Sequence, residues 1–271
     1  MLTKTVRKRA LRSHALPLAL LLPLLAGGCA TMGDAGPKPA FSAAPAENLL
    51  RIGRTAEASG DPRSAAALYQ QAHAADPTSV APLLALGNAL RASGRFPEAA
   101  EAFRRAPAPD PRSAEALRGL GFSQLAMDQA GAALGSFDAA LRIDGGDPRA
   151  WNGRGVALDM MARRQEAQDS YRTGLALDAG NVALRNNLGL SLAISGDYDG
   201  AISLLEDASR SVGAGARTRQ NLALAYGLAG REQEAAAIAQ VDLRPEEVVN
   251  NLGVYETMRR RRDGVPSLPE T

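Results

Sequence analysis

Residues 80–103, VAPLLALGNALRASGRFPEAAEAF, carry Gly87, Ala99 and Phe103 at fixed offsets. The same offsets recur 34 residues earlier as Gly53, Ala65 and Tyr69, and 34 residues later as Gly121, Ala133 and Phe137. Two more steps give Gly155, Ala167, Tyr171 and Gly189, Ala201, Leu205. A sixth keeps the phase with Ala223, Ala235 and Ala239. An interval of this length exceeds any ordinary single element and marks stacked supersecondary units. Counting units from Ala46, Val80, Ala114, Pro148, Val182 and Ala216, slot 8 is small, slot 20 is alanine and slot 24 starts as a ring. Slot 15 holds Gly60, Gly94, Gly196 and Gly230, with Asp128 and Ala162 as exceptions, and glycine there closes a helix.

Composition agrees with close-packed helices. Hydrophobic residues make up 45% of the 271, charged residues 22% and aromatics 4%. Alanine has the best helix propensity, and its small side chain lets helices approach. The net charge of +2 is misleading. Lys4, Arg7, Lys8, Arg9 and Arg12 fall in the first 28 residues, which hold no acid; without them 26 basic residues face 29 acidic ones. A near-neutral body lacks the clustered basic face of a nucleic-acid binder.

The N-terminal segment reads as an address. A basic stretch to Ala15 precedes the apolar run Leu16–Leu25 and then Ala26-Gly27-Gly28-Cys29. That order is a secretory signal peptide, and an apolar run of about ten residues is too short for a bilayer span of roughly 20. Cys29 is the only cysteine. Its setting resembles a bacterial lipobox, with Ala26 where leucine is commoner. The resemblance implies cleavage after residue 28, lipidation of Cys29 and, with Ala30 next instead of Asp, the periplasmic face of the outer membrane. Ordinary cleavage at a nearby alanine is the alternative. Residues 29–45, rich in Gly, Pro, Ala and Ser, read as a flexible tether.

The slot pattern of residues 46–249 resembles the tetratricopeptide repeat (TPR) family, down to Trp151 in slot 4. The resemblance implies an all-α, right-handed α-solenoid of about six helical hairpins, spanning 46–262, with a capping helix from about residue 245 and a disordered tail at 263–271. Each hairpin cannot bury its apolar face alone, so stacking is obligatory. Slots 8 and 20 are expected where two helices of a unit meet, and slot 24 between neighbouring units. Gln124 in slot 11 and Arg154 in slot 7 depart from the pattern; Arg154 is expected to snorkel or to be paired. Pro107 and Pro109 are expected to shorten the second helix of unit two. Asn251-Leu252-Gly253 echoes Asn187-Leu188-Gly189, suggesting a seventh first helix used as a cap. Arg259–Arg262 at its end reads either as a solvated helix terminus or as a partner patch.

In the family the first helices line a concave groove, through slots 2, 5, 6, 9, 12 and 13. Toward the C-terminal half this places Asn152, Asn186, Asn187, Gln220, Asn221, Asn250 and Asn251 there, with Arg149 and Arg217. Amides offer donor and acceptor together and suit the backbone of an extended peptide, while arginine suits a carboxylate. The alternative is that the asparagines only join neighbouring helices. Leu50, Leu84, Phe122 and Leu125 make the other half more apolar. Lysines in slots 2 and 5, the family's carboxylate clamp, are absent, which argues against a chaperone-tail ligand.

No catalytic constellation is visible. His14 falls in the signal segment and His73 stands alone, so no metal site is expected. Acidic residues such as Glu206 and Asp207 are expected on solvent faces, and no nucleotide-binding loop follows a strand. The expectation is a non-enzyme with no cofactor, no nucleic acid and no small-molecule substrate. The layout of signal, tether, repeats and a closing NNLGVYETMR helix resembles the TadD lipoprotein family of tight-adherence (Flp) pilus assembly systems. That implies a scaffold for assembling or localising the pilus machinery, with its secretin or other Tad components as partners. The alternatives are a scaffold for β-barrel assembly, a type IV pilus or the cell wall, or a regulatory subunit of a periplasmic enzyme.

Overall fold

The computed structural model describes residues 45–106 and 113–264. Cys29 with segment 1–28 and tether residues 29–44, Pro107 and Pro109, and tail residues 265–271 lie outside the described residues. Among the described residues there are thirteen helices and no strand. They pair as α1 (Ala46–Ala58) with α2 (Pro62–Ala75), α3 (Ala81–Ala92) with α4 (Phe96–Arg105), and α5 (Ala114–Leu125) with α6 (Ala130–Ile143). Then follow α7 (Pro148–Met160) with α8 (Arg164–Leu177), α9 (Val182–Ser195) with α10 (Tyr198–Arg210), and α11 (Ala216–Leu228) with α12 (Glu232–Ala239). Helix α13 (Pro245–Arg262) stands alone at the end.

Each helix packs on the next in chain order. Each first helix also touches the following first helix, α1 on α3 and so on to α11 on α13. Among the described residues no second helix packs backbone to backbone on the second helix of another hairpin, although Arg105 on α4 reaches His73 on α2 at 2.8 Å. The odd-numbered helices therefore form the crowded inner row of a curve, and α2 to α12 fan out along its outer side.

The recurrent slots explain the stacking. All six slot-20 alanines have no exposed surface. The slot-24 rings fill a cleft with two glycine walls. Phe103 lies on Gly87 of its own unit and on Gly119 of the next; Phe137 lies on Gly121 and Gly153 in the same way. A Cβ at Gly121 would come to 2.8 Å from the Phe137 ring, and one at Gly153 would overlap it. The slot-8 reading and the inter-unit reading of slot 24 thus describe one contact. Its second wall, slot 6, adds to the sequence expectation: in units three and four a Cβ in that slot would point into the preceding ring. Phe137 also meets Phe122 edge-on, with centroids 5.0 Å apart. Burying such a ring is worth roughly 1.5–3 kcal/mol, so one ring per unit supplies much of the coupling between hairpins.

Two further departures are electrostatic. Asp147 and Asp159 do not sit on solvent faces. Asp147 is buried, caps α7 by accepting from the Arg149 N–H at 2.9 Å, and pairs with Arg118 of the preceding unit. Asp159 accepts from the Tyr171 hydroxyl (3.0 Å), the Ser191 hydroxyl (3.0 Å) and Arg164 (2.9 Å). Glu57 accepts from Tyr69 at 2.6 Å in the same geometry. Both acids occupy slot 12, so that slot serves the ring of its own hairpin where the ring is tyrosine. Burial, reinforced by the Asp159 charge, pushes the Tyr171 pKa up, and burial followed by the Glu57 hydrogen bond does the same at Tyr69; both stay protonated donors. Arg154 is paired: it donates to Asp138 at 2.8 Å and to Ser170 at 2.6 Å.

The hairpin turns contain stored strain. Slot 15 takes positive φ in all six units: 78° at Gly60, 75° at Gly94, 93° at Gly196 and 77° at Gly230, but also 58° at Asp128 and 60° at Ala162. A non-glycine residue held in the left-handed region costs on the order of 1–3 kcal/mol. Glycine would return part of that gain through chain entropy, about 0.5–1 kcal/mol. Ala162→Gly is therefore expected to stabilise the fold by about 1 kcal/mol, or roughly 2–4 °C in a domain of this size. Calorimetry checks it; an unchanged or lowered transition would show that the turn has relaxed some other way.

Candidate partner-binding groove

The inner row of first helices encloses two adjoining concavities. One, of about 570 Å³, is lined by Phe122, Leu125, Asn152, Val156, Asn186, Asn187 and Arg217 among others. The second, of about 410 Å³, is lined by Asn88, Arg91, Glu115, Arg118, Arg149 and Asn152. Phe122, Asn152 and Ala183 belong to both, so the two form one furrow running from α3 to α11.

Three asparagines, Asn152, Asn186 and Asn187, line its C-terminal part, and a hydrogen-bonded row joins them to Asn221 beside it. Asn221 on α11 donates to Asn186 Oδ1 on α9 (3.0 Å), Asn186 donates to Asn187 (3.2 Å), and Asn187 donates to Asn152 Oδ1 on α7 (2.9 Å). Each amide carries two N–H groups and a carbonyl with two lone pairs. The row uses one N–H from each of three residues, which fixes the side chains and leaves further donors on every member and the Asn221 carbonyl free of the row. The two sequence readings, helix joining and groove lining, therefore describe the same residues. Asn186 is nearly buried, whereas Asn152, Asn187 and Asn221 are half-buried.

The remaining sequence candidates separate. Arg149 and Arg217 are exposed at the furrow and make no ion pair among the described residues. Arg91, not singled out from the sequence, is exposed at the same furrow. Among the described residues Glu115 is the one carboxylate lining either concavity. Arg118, also missed, is engaged with Asp147. Gln220 and Asn221 on α11 and Asn250 and Asn251 on α13 line neither concavity. Phe122 and Leu125 supply the apolar floor, while Leu50 and Leu84 pack into the N-terminal core. Among the described residues no cluster of three His, Cys, Asp or Glu could hold a metal ion, and no helix is long and apolar enough to cross a membrane.

Family models described as tetratricopeptide repeat match residues 56–121 and residues 161–216. The chain is a tetratricopeptide-repeat solenoid. A solved MamA protein is 25% identical, covering 60% of this chain and 90% of its own, with a TM-score of 0.53. A thermophilic TPR protein of Thermus thermophilus is 22% identical over 66% of this chain and 98% of its own, with a TM-score of 0.57. Pseudomonas aeruginosa pilF is 17% identical over 81% of this chain and 96% of its own, with a TM-score of 0.63. At these identities the last two likenesses concern the fold alone. No curated protein matches the sequence. A TPR solenoid is a scaffold for protein–protein interaction, and the furrow on its inner row is the surface this one offers.

Proposed function

We propose that this TPR solenoid is a lipid-anchored envelope scaffold. Its furrow holds an extended, acid-bearing segment of a partner and so helps to assemble or localise a tight-adherence pilus machine at the periplasmic face of the outer membrane. The asparagine row carries the groove part of this reading. A row of preset amides meets a peptide backbone in register, the edge-pairing chemistry of extended ligands. Exposed Arg91, Arg149 and Arg217, opposed along the furrow by Glu115 alone among the described residues, favour carboxylates on that ligand. The anchor and the pilus system rest on the lipobox-like setting of Cys29 and on the resemblance of the closing helix to the TadD family.

Crosslinking in the native host with partner identification tests the assignment, with the pilus secretin as the expected capture. In the double variant Asn187→Ala, Asn221→Ala, secretin recovery is expected to fall about tenfold or more, the equivalent of ~1.4 kcal/mol or above. Thermal unfolding of the variant is measured in parallel. Unchanged capture with an unchanged melting temperature would reject the groove.

A further inference from the structure

The asparagine row has a charged layer on one side of it and an apolar layer on the other. Arg149 on α7 and Arg217 on α11 hold slot 2, exposed at the furrow and outside any ion pair among the described residues. Slots 5 and 6 hold the amides. Slot 9 holds Phe122 on α5 and Val156 on α7, and Leu125 of α5 lies with them along the larger concavity, which Asn152 and Arg217 also line. Slot 13 continues the apolar layer with Met160 and Ile194, which stay 46% and 44% exposed. Slots 2, 5, 9 and 13 share one helix face. Slots 2 and 9 are separated by roughly 10 Å along the helix axis at a rise of about 1.5 Å per residue, and the amides stand midway.

A strand laid across these helices meets the layers in one way. Its backbone groups point toward the amides, in the plane of the hydrogen bonds. Its side chains stand perpendicular to that plane, and successive ones take opposite sides. Because the strand crosses the helices, those two sides are the slot-2 side and the slot-9 side. Every second side chain therefore faces the arginine layer, and the ones between face Phe122, Leu125 and Val156. A helical ligand satisfies its own backbone and would leave the half-buried amides without new partners. At the α3–α5 end the order is inverted, with Glu115 in slot 2 and Arg91 in slot 12, so the layering belongs to the stretch that the amide row spans.

Resting on the furrow reading proposed above, we infer that the segment selected there alternates carboxylate and apolar side chains, one kind on each face of an extended chain. The occupant is a two-faced strand of a partner protein. A continuous acidic run does not match, because half of its charges would be pressed on the apolar layer without partners. A wholly apolar strand leaves Arg149 and Arg217 unmet. Between these two arginines α9 has Ala183 in slot 2, so the outer carboxylates of the alternating series carry the charge recognition.

The probes are end-capped fluorescent peptides of about eight residues, long enough to show both faces of a strand, added to the full chain at low salt and followed by anisotropy. One alternates glutamate and valine. The other has the same composition in pairs, Glu-Glu-Val-Val, a period that suits a helix and mixes the two faces of a strand. The alternating peptide is expected to bind about tenfold or more tightly than the paired one, and to lose a similar factor when serine replaces valine. Arg149→Glu with Arg217→Glu puts acids in the first turns of α7 and α11, where the helix dipole favours them, so the fold is retained. That double variant should bind the glutamate–valine peptide about tenfold or more weakly and should gain affinity for a lysine–valine alternation. No binding of the alternating peptide by the wild type, or an unchanged affinity in the arginine variant, would overturn the inference. So would tighter binding of the paired peptide, because the occupant would then be a helix. Asn187→Ala with Asn221→Ala separates this inference from the furrow reading. If the wild type binds both peptides equally and the asparagine variant weakens both, the furrow stands and the alternation falls. If the alternating peptide binds that variant as it binds the wild type, the furrow falls as well.

Discussion

Phe137→Ala is expected to destabilise the fold by about 3–5 kcal/mol, which is a large part of the total stability of an ordinary domain. The ring has no exposed surface and is held between Gly121 and Gly153, with Phe122 against its edge. Its walls are helix backbone in two different hairpins, so the vacated space can close only if unit four moves as a whole on unit three. That is the condition under which truncation leaves a cavity and its full cost. Gly153→Ala should be damaging for the reciprocal reason, by about 1–3 kcal/mol, because its methyl group would overlap a ring that cannot retreat. In the Phe137→Ala background the same change should be neutral or stabilising, since it fills part of the cavity and favours the helix. The single Trp, Trp151 on α7, reports unfolding of this junction by fluorescence in urea. A double-mutant cycle with no coupling between the two positions would refute the two-walled cleft.

Cys29→Ser is expected to move the protein from the membrane fraction to the soluble periplasmic fraction almost completely. Among the described residues no helix is long and apolar enough to cross a bilayer. Each buried methylene of an acyl chain contributes about 0.8 kcal/mol, so one chain holds only marginally while several on one residue hold firmly. Hydroxyl for thiol removes the acceptor for the first chain. Fractionation of the native host with an alkaline wash reads the result directly. A serine variant that stays in the washed membrane pellet would disprove the lipobox reading of Cys29.

The architecture was legible because a solenoid writes one contact many times. Gly53, Ala65 and Tyr69 mean little alone, yet their fivefold return at one interval identified helix, turn and ring together. What escaped notice lies between slots. Gly119 and Gly153 form the second wall of the ring cleft, but unit one has Arg51 and unit five Asn187 in that slot, so no sixfold repetition draws attention to it. Glu57 and Asp159 could have been found from the tyrosines, since each lies twelve residues before its ring, whereas Phe103 and Phe137 have Arg91 and Leu125 at that offset. The asparagine row is the instructive case. Asn152 bonds Asn187 and Asn186 bonds Asn221 at a separation of 35 residues, one more than the repeat. Neighbouring inner helices meet slot 5 to slot 6, so a search for identical slots passes over the partner. Gln220, Asn250 and Asn251 share the residue type and the local motif, but line neither of the two concavities.

The separation of the outer helices from one another also makes this molecule a spring. Bending the solenoid about its inner row disturbs no backbone packing among α2, α4, α6, α8, α10 and α12 of the described residues, only side-chain bridges such as Arg105 to His73 at 2.8 Å. Curvature is then governed by whatever ties the inner helices together. From α7 to α11 that tie includes a rigid file of amides; from α1 to α5 no such file runs among the described residues, and the contacts there are of rings and alkyl groups. The inner row is thus cross-tied by amides from α7 to α11 and held by ring and alkyl packing from α1 to α5. Were the chain anchored as proposed, a pull from its N-terminal side would be taken up first in the early units, leaving the spacing of the asparagines unchanged.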